Sequence, residues 1–198
     1  MRFRLFLPFS LAILMFTFAK SDLAQSIYPA AQERGIPFAI GVGPSNFDID
    51  WGKDHGKERR MGGITMWFDW SPPDPKGLLK GIALEVEGRD MNYGQPLGLT
   101  HLRQDTFVGG VVYSWRSYRP IHPYAKYLMG VGAINSPSNH TSGILAPGAG
   151  LAFRAFKSVW VRGDYEYQFW PNFFGPRALN PNGFTISTAY DFRTRPRS

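Results

Sequence analysis

Eight stretches of this 198-residue chain alternate between apolar and polar side chains with a period of two, and that repeat constrains the fold more than any other feature. A β-strand places successive side chains on opposite faces, so each stretch describes a strand with one greasy and one polar face. The stretches lie at about 36–50, 60–70, 77–91, 102–116, 122–135, 143–156, 158–170 and 183–192, separated by clusters of Gly, Pro, Asn and Ser. In the third, Ile82, Leu84 and Val86 oppose Glu85, Glu87 and Arg89; in the seventh, Val159, Val161, Tyr165, Tyr167 and Phe169 oppose Arg162, Asp164, Glu166 and Gln168. None of the gaps carries the 3.6-residue period of an amphipathic helix, which argues against parallel crossovers and leaves an antiparallel up-and-down meander as the simplest topology.

An even number of two-faced strands closes naturally into an all-β, eight-stranded antiparallel barrel. Which face points inward is decided by size and by aromatic placement. The polar parity carries Asp69, Glu85, Glu87, Arg89, Lys126, Arg154, Arg162, Asp164, Glu166 and Asp191. It also carries small residues, among them Gly41, Gly43, Gly63, Gly81, Ala83, Gly110, Gly130, Gly132, Gly148, Gly150 and Ala152, which suit a crowded eight-stranded interior. The apolar parity gathers Trp70, Tyr113, Trp115, Tyr127, Tyr165, Tyr167, Phe169, Tyr190 and Phe192 near segment ends, where the aromatic girdles of a membrane barrel lie. The expected fold is therefore a transmembrane barrel with a charge-paired lumen and its greasy face in outer-membrane lipid. A one-residue slip would send every lumen charge into lipid, at about 2–4 kcal/mol per midplane Arg or Lys, so the register is well specified.

The chain ends agree with export. Arg2 and Arg4 precede an apolar run over residues 5–18, and Ala24 stands before Gln25, the layout of a signal peptide at residues 1–24. Residues 25–35 then form a short periplasmic lead, 36–192 the barrel and 193–198 a basic tail. Removal of Arg2, Arg4, Lys20 and Asp22 from the 22 basic and 15 acidic residues leaves 19 and 14, a net charge of +5. The basic residues alternate with acids instead of clustering, which argues against nucleic acid. Zero cysteines exclude a disulfide scaffold. Connections at 71–76, 117–121 and 157 are on average shorter than those at 51–59, 92–101, 136–142 and 171–182, as expected for periplasmic turns and external loops.

At this point the chain resembles small bacterial outer-membrane β-barrels of the opacity-protein and porin-like type. The resemblance is carried by the terminal aromatic pair Tyr190 and Phe192, and by the stretches Gly41-Val-Gly-Pro-Ser-Asn-Phe-Asp, Leu102-Arg-Gln-Asp-Thr and Arg162-Gly-Asp-Tyr-Glu-Tyr-Gln-Phe-Trp. It implies that Tyr190 and Phe192 are the signal read by the barrel-assembly machinery, with the tail Arg193-Thr-Arg-Pro-Arg-Ser198 as a departure from the family pattern. It also implies a monomer with a structural or surface-interaction role, the alternative being passive transport of small solutes.

Chemistry is sparse. His55, His101, His122 and His140 fall in connections or at segment ends without ligand spacing, so no metal or cofactor is expected. His140-Thr-Ser142 resembles the His-x-Ser of outer-membrane lipid deacylases, but it lies in an expected loop with no acid beside it, and an enzyme is the weaker reading. Asn46-Phe47-Asp48 resembles a lipocalin signature, yet the Gly-x-Trp that should follow is absent. The basic and acidic residues of 52–60 form a solvated charge run.

Overall fold

The computed structural model describes residues 37–49, 60–72, 79, 81–93, 102–115, 120–135, 139–174 and 177–192. The signal-peptide, lead and tail assignments, the charge run up to residue 59, His55 and His101 all lie outside these residues.

Ten strands are present among the described residues: β1 Phe38–Asp48, β2 Arg60–Trp70, β3 Ile82–Tyr93, β4 Arg103–Ser114, β5 Ile121–Asn135, β6 Asn139–Arg154, β7 Val159–Tyr167, β8 Trp170–Phe174, β9 Arg177–Leu179 and β10 Asn182–Asp191. Eight of them close a barrel in the order β1-β10-β7-β6-β5-β4-β3-β2, and every neighbouring pair is antiparallel. Closure leaves no sheet edge of full length, and the meander follows directly from the absence of helical crossovers. The remaining two strands form a small separate hairpin, β8–β9.

The strands keep the alternation of the sequence. Along β10, Gly183, Thr185, Ser187, Ala189 and Asp191 are buried while Phe184, Ile186 and Tyr190 stand exposed on the outside. Phe107, Ile186 and Phe184 are 62%, 62% and 59% exposed, although each is strongly apolar. Together with Ile64, Met66, Met129, Val131 and Leu151 they make an apolar surface on β2, β4, β5, β6 and β10. Large apolar side chains exposed on strand after strand fit an apolar medium around the barrel. Aromatic contacts border it: Phe38 stacks on Phe68 and Phe192 at 5.3 and 4.5 Å near the chain ends, and Tyr165 meets Phe184 at 4.9 Å toward the other end. Above it, Arg103 pairs with Asp90 at 3.0 Å and Asp105 at 3.1 Å on the outer wall, where charge returns.

Three sequence expectations are corrected. The sixth strand starts at Asn139, so the expected loop 136–142 shrinks to residues 136–138; His140, Thr141 and Ser142 pair with Ile134, Ala133 and Gly132. The polar composition of that stretch suggested a loop, but the backbone ladder with β5 holds it extended. The expected loop 171–182 holds most of the β8–β9 hairpin, which begins at Trp170, and the seventh barrel strand stops at Tyr167, with Phe169 still bridged to Leu145. The third strand begins at Ile82, so the turn after β2 runs to residue 81.

Candidate functional site: the barrel lumen

Three cations organise the middle of the lumen, each from a different strand. Lys126 of β5 sits with Nζ 2.8 Å from Glu87, 2.9 Å from Asp164, 2.9 Å from Glu166 and 3.8 Å from Glu85. Arg89 of β3 donates to Glu166 at 2.9 Å, to Thr65 at 2.8 Å and to Glu87, and its guanidinium lies 4.0 Å over the Phe47 ring. Arg162 of β7 donates to Glu85 at 2.8 Å, to Asp69 at 3.1 Å and to the Tyr124 hydroxyl at 3.2 Å, stacked 3.9 Å from the centroid of Trp67. Period-two alternation aims all of these side chains at one axis, and closure of the barrel brings β2, β3, β5 and β7 within reach of each other. The side chains of Arg89, Lys126, Glu85, Glu87, Asp164 and Glu166 are at most 2% exposed. Five carboxylates thus surround three cations, all in an interior narrow enough for side chains to fill.

Neutral hydrogen bonds lock the wall around this belt. Ser45 Oγ lies between Thr65 and Thr185, and the Trp67 indole donates to Ser187 at 3.0 Å. Gln168 donates to Glu166 at 2.8 Å while its carbonyl accepts from the Trp170 indole at 3.0 Å and from Gln104 at 3.3 Å. Gln168 therefore joins the charged belt to the layer above it.

That layer is apolar. Phe47, Ile49, Met61, Met91, Leu128, Ile134, Ile144, Trp170 and Leu179 are each no more than 2% exposed and form one cluster toward the long-loop end. Trp170 and Leu179 come from the β8–β9 hairpin, which delivers them into the barrel as a stopper. Gly132 makes room for it, since a Cβ there would run into the Trp170 ring.

Comparison with solved structures places this architecture. The chain superposes on the Neisserial surface protein A with a TM-score of 0.63 at 10% identity, covering 81% of this chain and 100% of that one. The fold is that of small eight-stranded outer-membrane β-barrels. OprG of Pseudomonas aeruginosa matches with a TM-score of 0.54 at 13% identity over 82% of this chain and 99% of that one. Ail, the attachment invasion locus protein of Yersinia pestis, matches with 0.53 at 15% identity over 80% and 98%. No protein-family model and no curated protein sequence matches the chain.

Within this outer-membrane-type barrel, eight of the ten lumen residues singled out by sequence converge on the belt or its lower edge, Asp69 being the lowest of them. Arg154 and Asp191 sit apart at the mouth near the chain ends, Arg154 with its guanidinium 4.8 Å over Trp160. Tyr190 points outward and packs on Phe192 at 4.7 Å. The Ser142 hydroxyl has two backbone carbonyls, of Gly143 and Pro171, each 3.1 Å away as acceptors for its single proton. His122 packs against Trp160 at 4.9 Å. No group of three or more metal-ligating side chains occurs among the described residues.

The apolar stopper was not foreseen, although a signal existed. Phe47, Met61, Met91, Ile134 and Ile144 all stand at inward parity and all lie at the long-loop end of their strands. Trp170 too continues the inward parity of Arg162, Asp164, Glu166 and Gln168, and the alternation of burial runs unbroken from Glu166 to Trp170.

Proposed function

We propose that the chain is an exported, monomeric outer-membrane barrel with a closed lumen, non-enzymatic, whose long connections face outward and serve a structural or surface-interaction role. The observation that carries this reading is the pairing of an apolar outer surface with an interior sealed twice, by the ion-pair belt and by the Trp170 stopper. Residues 1–24 direct export, and Tyr190 and Phe192 at the end of β10 serve as the signal for the barrel-assembly machinery. Two barrels of similar fold bear surface or attachment names, which supports a surface role by analogy of fold alone.

Two measurements test it. The purified protein should migrate faster on gels before boiling than after, as a closed barrel does, and planar lipid bilayers containing it should show no discrete channels. Reproducible single-channel steps from wild-type protein would replace the sealed-lumen reading with passive solute transport.

A further inference from the structure

Asp69 and Glu85 are paired across β2 and β3, both side chains point inward, and their carboxyl groups lie within hydrogen-bonding reach of each other. One oxygen of each is held by the same guanidinium: Arg162 of β7 donates to Asp69 Oδ2 at 3.1 Å and to Glu85 Oε2 at 2.8 Å. The other two oxygens, Asp69 Oδ1 and Glu85 Oε1, are buried, and neither receives a hydrogen bond from a protein donor. The strand neighbours on either side, Ala39 and Gly110, have no side-chain donor to offer. Of the groups that β5 sends toward the pair, the Tyr124 hydroxyl accepts from Arg162, and Lys126 stays 3.8 Å from Glu85 Oε1 with three other carboxylates closer to it. No space the size of a water molecule touches either oxygen, so neither water nor a metal ion can serve them.

Two ionised carboxylates in such contact repel each other, and Arg162 sets a single charge against their two. One proton removes both difficulties, because a carboxylic acid donates through its O–H to the carboxylate beside it. We propose that Asp69 and Glu85 form a proton-binding site that holds one proton between them at neutral pH and exchanges it through the chain-end mouth of the barrel. Access is one-sided. Asp69 lines a cavity of about 450 Å³ at the end where β1 begins and β10 finishes, and its side chain is 16% exposed against 0% for Glu85. The proton therefore enters and leaves by way of Asp69. That this mouth faces the periplasm rests on the orientation given under the proposed function, whereas proton binding does not.

Infrared spectroscopy of the full barrel in detergent micelles at neutral pH tests this. Exposed carboxyl groups are ionised there, so the folded wild type should show a protonated-carboxyl band that arises from the interior. That band should move on transfer to D2O while the barrel stays folded. Asp69→Asn and Glu85→Gln each put an amide where the protonated partner stood, and the amide can donate the same hydrogen bond to the remaining carboxylate. The difference spectrum of either variant against wild type should therefore show the loss of a protonated-carboxyl band, with the gel shift on heating retained; if one variant does not fold, the other decides. Glu166→Gln is the contrast, because Arg89 and Gln168 both donate to Glu166, and its difference spectrum should show the loss of a carboxylate band. The proposal is overturned if folded wild type has no protonated-carboxyl band, if that band does not move in D2O, or if a folded amide variant at Asp69 or Glu85 loses a carboxylate band instead. The gel shift of wild type reads the barrel itself, separately from the proton.

Discussion

Lys126 is the residue on which the interior depends most. Its ammonium faces four carboxylates, three of them within 2.9 Å: it donates to Glu87, pairs as an ion with Asp164 and Glu166, and lies 3.8 Å from Glu85, which takes its hydrogen bond from Arg162. Burying ions is costly, and the arrangement is stable only because the partners compensate each other. Lys126→Met should therefore destabilise the barrel by about 3–5 kcal/mol, read as a shift in urea unfolding from lipid vesicles. Arg154→Ala is the control: it lies at the open mouth, and its unfolding transition should hardly move. Equal losses in the two variants would mean that the belt contributes nothing beyond surface charge. Gly132 gives a steric counterpart, because a side chain there meets the Trp170 ring; Gly132→Val should cost about 1–3 kcal/mol by overpacking, and the same loss should vanish in a Trp170→Ala background.

At the scale of elements, the barrel strands were legible because a period of two is a direct consequence of backbone geometry. Glu85, Glu87 and Arg89 against Leu84 and Val86 left one arrangement that kept charge out of an apolar medium. The β8–β9 hairpin was not legible, since Pro171 and the Gly-Pro pair after Phe174 have the composition of a loop. The start of β6 was missed for a related reason: Asn139 to Ser142 are polar, and their extended form depends on the ladder supplied by β5, a long-range fact. Pro44 shows the limit of local rules, because it lies inside β1; the ladder to β10 passes from Val42 to Ser45 around it, while pairing with β2 runs through. The end of β10 carries its own prediction. If Tyr190 and Phe192 are the assembly signal, deletion of residues 193–198 should leave insertion intact, whereas Tyr190→Ser with Phe192→Ser should abolish it, both measured as heat-shifted protein in isolated outer membranes.

For the whole molecule the two seals act in series along one axis. The stopper is held by burial: Trp170→Ala removes a fully buried indole and should cost about 3–5 kcal/mol. It should nevertheless not open a channel, because the belt of Arg89, Lys126 and Arg162 lies beneath it and spans the lumen from β2 to β7. Breaking the belt alone should likewise leave the barrel closed under its apolar cap. Only the combination, Trp170→Ala with Lys126→Ala, clears both layers, and the carboxylates left behind would line the passage with negative charge. Planar-bilayer recordings should therefore be silent for wild type and both single variants, and show small cation-selective steps for the double variant. Conductance from Trp170→Ala by itself would mean that the ion pairs part readily and that the stopper alone closes the barrel.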